Sequence, residues 1–341
     1  MATNNPLENE HSESPMPISS KSFHIAGILT IVHGLEELSP SCTSISVLWL
    51  LHPRLSNKDA MASIASKCIN DWNQRASING RTGLIAVAFD QRNHGSREVD
   101  TLANQSWRDG NVTHAQDMFS IFHGTALDTT LLIDHLGSYI FHAPEAPPID
   151  QHLVLGVSLG GHAAWQVLFN ELRVTAAVVI IGCPDYMRVM TDRARLSKLE
   201  TYTSNNGVDF LGSKDFPKAL ISSVQKSDPR GQFFGTSEIN LIPSVKEQAR
   251  LRGLLDSKIK GKKVLVCSGG DDKLVPYHCS EPFMKFLKNA TTGWYKDGNV
   301  YVEDNVYPGV GHAYSEGMIK DTMRFVSDVL AGISTQPTSK I

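Results

Sequence analysis

The stretch His152-Leu153-Val154-Leu155-Gly156-Val157-Ser158-Leu159-Gly160-Gly161 decides how this chain folds. It opens on a short apolar run, and the residues that follow, His162-Ala163-Ala164-Trp165-Gln166-Val167-Leu168-Phe169, have the composition of a helix. A strand, a Gly-x-Ser-x-Gly turn and a helix in succession make a nucleophile elbow. The chemistry explains the spacing. Ser158 has to stand on a tight, strained turn if its Oγ is to be exposed above a sheet edge. Gly156 and Gly160 flank it because a Cβ at either place would collide with the neighbouring strand or helix. The helix N-terminus behind Ser158 favours negative charge developing there. The plainer alternative is a glycine-rich turn with no chemistry, and the flanking strand and helix patterns argue against it.

The whole chain bounds what surrounds this turn. Its 341 residues are 41% hydrophobic and 20% charged, enough for one large core or a core with an inserted subdomain. The net charge is −3 with no long block of one sign, so there is no basic face for nucleic acid. The longest apolar runs, such as Ala176-Ala177-Val178-Val179-Ile180-Ile181, are too short to span a bilayer and match buried parallel strands. Residues 1–20 are polar, carry Glu8, Glu10 and Glu13 with Pro6, Pro15 and Pro17, and read as a disordered leader without the parts of a secretory signal. Five cysteines are scattered with no CxxC pair, the pattern of reduced thiols in an intracellular protein. Sequons begin at Asn104, Asn111 and Asn289, and in a non-secreted chain they are accidental. HExxH, paired Cys/His spacings and GxxxxGK[ST] are all missing, so neither a metal nor a nucleotide cofactor is expected.

Strand-like runs alternate with helix-like segments along the chain. That rhythm predicts an α/β fold, a mostly parallel sheet with helices on both faces. Strands are expected within residues 23–32, at 46–51, 84–89, 152–155, 176–181, 262–267 and 299–307. Helices are expected over 58–72, 112–135, 162–169 and 317–330. Residues 186–258 break the rhythm with two helical pieces and loops rich in Gly, Ser, Asp and Pro. They read as a helical cap inserted between two parts of one core, 21–185 and 259–333. Tyr186, Met187, Phe210 and Phe216 in the cap are candidates for substrate binding over the strand ends, where open α/β sheets take ligands. The alternative is that such residues form the cap's own small core. Residues 334–341 read as a flexible tail.

A serine hydroxyl is a poor nucleophile unless a base removes its proton and a third group orients that base. After the strand ending at Cys267 comes Ser268-Gly269-Gly270-Asp271-Asp272-Lys273-Leu274-Val275-Pro276, which offers two adjacent aspartates. After the last strand comes Pro308-Gly309-Val310-Gly311-His312-Ala313-Tyr314. Among thirteen histidines, His312 stands out by its glycine-flanked loop and its late position. An oxyanion hole needs two backbone N–H donors. One is expected from Leu159, the residue after the nucleophile. The other comes from His33-Gly34-Leu35 or from His52-Pro53-Arg54. The second loop directly precedes a helix and the next strand, which favours Arg54.

Gly-Val-Ser158-Leu-Gly, Asp272-Lys-Leu-Val-Pro, Gly-His312 and Asp90-Gln-Arg-Asn-His-Gly together resemble the α/β-hydrolase superfamily, from about Phe23 to Leu330. The resemblance implies a Ser158–Asp272–His312 triad in the family's chain order, with Asp272 in the setting of the acid; on the plainer reading of the residues the loop is a polar turn capped by an aspartate, a role that suits Asp271. His52-Pro53-Arg54 stands where the family usually has His-Gly.

The chain ends Ser339-Lys340-Ile341, close to the Ser-Lys-Leu peroxisomal address. With the fold, that ending is similar to fungal peroxisomal hydrolases, including those of host-selective toxin clusters that make epoxy-decatrienoic acid esters. The resemblance implies a serine hydrolase acting on an ester or thioester of an apolar acyl group. Its expected partners are that small substrate and a peroxisomal import receptor, with the cytoplasm as the alternative location. Acyl transfer or C–C bond cleavage could use the same triad. A non-catalytic binding protein would have no need of all three residues.

Overall fold

The computed structural model of the protein describes residues 5–7, 16–76 and 81–333. The chain begins with a hairpin of β1 (Ser20–Ile25) and β2 (Ile28–His33). Its two-residue turn, Ala26-Gly27, has positive φ at both positions, which matches the twist of the flanking strands. In chain order there follow β3 (Ser44–Leu51), α1 (Ala62–Ala76), β4 (Thr82–Phe89), α2 (His114–Ile140), β5 (Ile149–Val157), α3 (Leu159–Asn170) and β6 (Val174–Ile180). Five helices come next: α4 (Tyr186–Leu196), α5 (Glu200–Thr203), α6 (Lys218–Ser227), α7 (Pro229–Phe234) and α8 (Val245–Lys258). The chain then returns through β7 (Lys263–Gly269), α9 (Tyr277–Thr292), β8 (Tyr301–Tyr307) and α10 (Glu316–Leu330).

Among the described residues, eight strands form one sheet in the order β1-β2-β4-β3-β5-β6-β7-β8. β1 and β2 are antiparallel to each other and β2 is antiparallel to β4, while β4, β3 and β5 to β8 run parallel. The central strands are apolar on both sides, as a sheet covered on both faces requires. Along β3, Val47, Trp49 and Leu51 join the apolar cluster under α2, α3 and α9, and Leu48 and Leu50 join the opposite cluster under α1 and α10. This is the mostly parallel α/β layering that the alternating runs predict.

β3 and β5 are neighbours, yet the chain leaves β3 toward β4 on one side and leaves β5 toward β6 on the other. Ligands of open α/β sheets bind in the crevice at such a switch point, beyond the carboxyl ends of the strands. The loops after β3, β5, β7 and β8 all open on that edge.

The insertion between β6 and β7 packs onto the α2–α3–α9 layer, and its apolar residues continue the main core. Phe233 meets Phe169 at 5.9 Å, and Phe234 meets Phe286 edge-on at 4.9 Å. No helix among the described residues is long and apolar enough to cross a membrane. All five cysteines are free. Asn104 and Asn111 are buried, their side-chain amides bonded to neighbouring carbonyls.

Parts of the segment read as a disordered leader are placed against the fold. Met16 O accepts from Asn70 Nδ2, and Ser19 is bonded to Glu37. Pro6 is buried, and its carbonyl accepts the Tyr314 amide at 2.9 Å. These contacts join residues distant in sequence, which composition does not encode. Ser339, Lys340 and Ile341 lie outside the described residues.

Candidate active site

Ser158 sits between β5 and α3 with φ 56° and ψ −111°, a conformation that costs a non-glycine residue about 1–3 kcal/mol. The surrounding backbone enforces it. The Ser158 amide donates to Ile180 O at 2.9 Å, and its carbonyl accepts the His162 amide at 3.1 Å. The glycines act as the spacing predicts: a Cβ on Gly156 would overlap the Gly160 carbonyl, and one on Gly160 would overlap the Leu51 carbonyl. Gly161 and Gly182 form a second close backbone approach, so α3 can start directly over the end of β6.

Ser158 Oγ lies 2.8 Å from His312 Nε2, and His312 Nδ1 lies 2.8 Å from Asp272 Oδ2. β5, β8 and β7 thus bring to one point three residues that are up to 154 positions apart. Asp272 is buried, whereas Asp271 is exposed and donates its amide to Val310 O. Burial alone would raise the Asp272 carboxyl. The bond and charge of His312, with amide bonds from Val275 and Leu274 to Oδ1, hold it below its ordinary value instead.

Arg54, on the loop after β3, lines the same pocket as Ser158, Leu159 and His312. The amides of Arg54 and Leu159 make no hydrogen bond among the described residues. The competing loop behaves differently, because the Gly34 amide is bonded to Ser19 O. Buried His52 fixes the Arg54 loop. Its Nδ1 donates to Pro53 O at 2.7 Å, its Nε2 accepts the Gln91 amide at 2.9 Å, and Gln91 Nε2 bonds the His52 carbonyl. Burial pushes the imidazole down to about 4, which keeps that Nε2 lone pair available at neutral pH. The Asp90 loop is pinned in turn. The Asp90 carboxylate takes bonds from the Lys58 and Ser96 amides, Lys58 Nζ and Ser96 Oγ.

Pro6, Met118, Arg193, Leu274 and Val275 complete the lining of the pocket, whose free volume is about 30 Å³. None of the four cap residues expected to bind substrate is among them. Tyr186 donates to Ala115 O and packs on Phe119 and Phe122; Phe210 packs on Trp107 and Phe216; Met187 is buried in the same cluster. Large aromatic surface is buried most favourably against other aromatics, and here the main core beside α2 takes it. The apolar side of the pocket is Met118 with Leu274 and Val275. Met118 is one more apolar position on a long helix, and Arg193 one of several arginines in α4, so neither carries a sequence signal. Asp192, His278 and Cys279 bring one ligand atom each within 4.8 Å of one another, but Asp192 is paired with Arg195 at 2.7 Å.

No family model matches the chain, and a search of curated proteins finds no match. Solved structures resemble it in fold. The TT1662 protein of Thermus thermophilus superposes with a TM-score of 0.56 at 17% identity, over 92% of this chain and 99% of that one. A cold-adapted esterase from an Arctic intertidal metagenomic library gives 0.49 at 15% identity, over 94% of this chain and 97% of its own. An esterase of Pyrococcus furiosus gives 0.46 at 15% identity, over 93% and 91%. The strand order, the elbow after β5 and the extent of the first superposition together define an α/β-hydrolase fold.

Proposed function

We propose that the protein is a serine hydrolase that cleaves an ester or thioester of an apolar acyl group. The observation that carries this reading is the Ser158–His312–Asp272 hydrogen-bond chain, two links of 2.8 Å behind a strained elbow. In the reaction, Ser158 Oγ attacks the acyl carbon while His312 Nε2 takes its proton. The Nδ1–H of His312 donates to Asp272, which fixes the tautomer and stabilises the imidazolium. The amides of Leu159 and Arg54 receive the oxyanion. The alkoxide or thiolate leaves with the proton from His312, and water then releases the acyl group by the same steps in reverse. Met118, Leu274 and Val275 give the acyl chain an apolar contact.

A fluorophosphonate probe tests this directly. It should label the wild-type protein at Ser158 and leave Ser158→Ala unlabelled, and p-nitrophenyl butyrate should be hydrolysed only by the former. An unlabelled, inactive wild-type protein would make the fold a binding scaffold instead.

Peroxisomal import through Ser339-Lys340-Ile341 is part of the same proposal, as is a step in making an epoxy-decatrienoic acid ester toxin. Both rest on the terminal tripeptide and the overall layout. A fluorescent protein carrying the last twelve residues should become punctate with a peroxisomal marker, and loss of the final three should return it to the cytosol. Diffuse fluorescence from the intact tail would remove both.

A further inference from the structure

Two arginines line the pocket of the nucleophile, and neither makes an ion pair among the described residues, the nearest acidic charges being Asp109 for Arg54 and Asp272 for Arg193. Arg54 reaches the pocket from the loop after β3, and Arg193 reaches it from α4. Arg54 Nη1 donates to Asn104 O at 2.7 Å. Arg193 Nη1 donates to His114 Nε2 and Met118 Sδ, each at 3.0 Å, and Nη2 donates to Leu274 O at 2.9 Å. Every one of these acceptors is neutral. His114 Nδ1 donates to Gln105 O, so its Nε2 is the lone-pair nitrogen, and burial with both arginine charges holds the ring well below the ordinary histidine range. No carboxylate among the described residues lies within 4.0 Å of either guanidinium. Asp272, also at this pocket edge, is already committed to His312 and two amides.

Several other arginines are paired with carboxylates. Arg92 and Arg97 share Asp128, Arg173 holds Glu171 and Asp134, Arg230 meets Asp185, and Arg324 meets Glu303. At the nucleophile two partly buried arginines are set together with neutral hydrogen-bond partners. Burial pushes the Arg54 guanidinium down to about 10, and the charge of Arg193 adds to that shift. Holding α4 against the Asp272 loop needs a hydrogen-bond donor to Leu274 O, which a neutral amide would supply. It does not need two like charges, whose mutual repulsion raises the energy of the pocket. An anion between them removes that penalty, and the planar guanidinium fork suits the two oxygens of a carboxylate.

We propose that Arg54 and Arg193 bind a carboxylate carried by the substrate, close to the acyl carbon that Ser158 attacks. The proposal rests on the serine hydrolase reading for its second half only; the anion site itself does not require turnover. The preferred substrates are then short apolar acyl esters that also carry a carboxylate.

The test has two arms. In the first, kcat/KM is compared for p-nitrophenyl hydrogen glutarate and for the same compound with its free acid capped as a methyl ester. The wild-type protein should favour the acid by about tenfold or more, a discounted value for a partly exposed charge pair. Arg193→Gln should bring the ratio near one, Arg54→Gln should lower it, and Arg193→Lys should keep part of the preference. A wild-type protein that favours the capped ester, or a ratio unmoved by Arg193→Gln, overturns the proposal. In the second arm, calorimetry measures glutarate and inorganic phosphate on the Ser158→Ala protein. Glutarate should bind, and Arg193→Gln should weaken it about tenfold. Binding of phosphate alone, or of neither anion, rejects a carboxylate site. Glutarate binding without hydrolysis of either ester would keep the anion site and discard the hydrolase reading. The wild-type ratio needs no variant, so a variant that fails to fold does not remove the test.

Discussion

At Ser158 a single residue satisfies three constraints: an extended strand behind it, a helix start ahead of it, and a hydroxyl aimed at His312. Ser158→Ala should reduce kcat by about 10⁴-fold or more with an unchanged denaturation midpoint, and His312→Ala should match it because the members act as a unit. Asp272→Asn should be nearly as severe, since it breaks the bond that sets the His312 tautomer, while Asp271→Asn should be mild because that side chain faces solvent. Steady-state kinetics on p-nitrophenyl butyrate ranks the two aspartates, and the reverse ranking would discard Asp272. Arg54→Ala keeps the backbone donor and Arg54→Pro deletes it, so the proline variant should be slower by about 10²–10³-fold relative to the alanine one. The elbow and both loop motifs are legible in the sequence because each is a local pattern with a steric cause. Arg193, Met118 and Pro6 are not, because long-range packing alone brings them to the pocket.

Among the elements, the turn between β5 and α3 is the least tolerant of change. Gly160 packs its Cα on the Leu51 carbonyl, and a backbone group cannot move aside as a side chain can. Gly160→Ala should therefore cost about 3 kcal/mol or more, read as a lower urea midpoint, whereas Gly253→Ala, with open space on α8, should be neutral or slightly stabilising. The strands and main helices are readable from sequence since their apolar runs answer to one dominant demand, burial on two sides of a sheet. The cap is harder to read. Its aromatics satisfy a helical pattern equally well whether they face a ligand or each other, and only the packing of Tyr186 and Phe216 at 6.1 Å distinguishes the two.

The whole molecule holds several histidines in neutral form. Burial pushes His52, His152 and His162 each down to about 4. The unfolded chain binds these protons near pH 6.5, so the stability they contribute is complete above that value and is lost as pH falls toward 4. Each is worth on the order of 3 kcal/mol across that window. The buried carboxyls of Asp185 and Asp228 are raised by burial and act with the opposite sign, losing their contribution as pH rises. With the histidines in the majority, Tm should drop between about pH 7.5 and about pH 5, before most carboxylates titrate. A flat profile over that range would mean that the buried rings accept protons without unfolding.

Pro6 lines the Ser158 pocket and its carbonyl accepts the Tyr314 amide, so it is expected to act as a tethered competitor of substrate. A competitor on the same molecule acts at a fixed effective concentration that dilution does not change. It multiplies the apparent affinity of every ligand by the fraction of time the mouth is open. Chemistry after entry is untouched, so removal of residues 1–7 should lower KM and leave kcat unchanged. Small substrates that fit beneath the proline should gain less from that deletion than bulky ones. The amino-terminal residues would then be a selectivity filter on substrate size, set by how firmly one hydrogen bond holds.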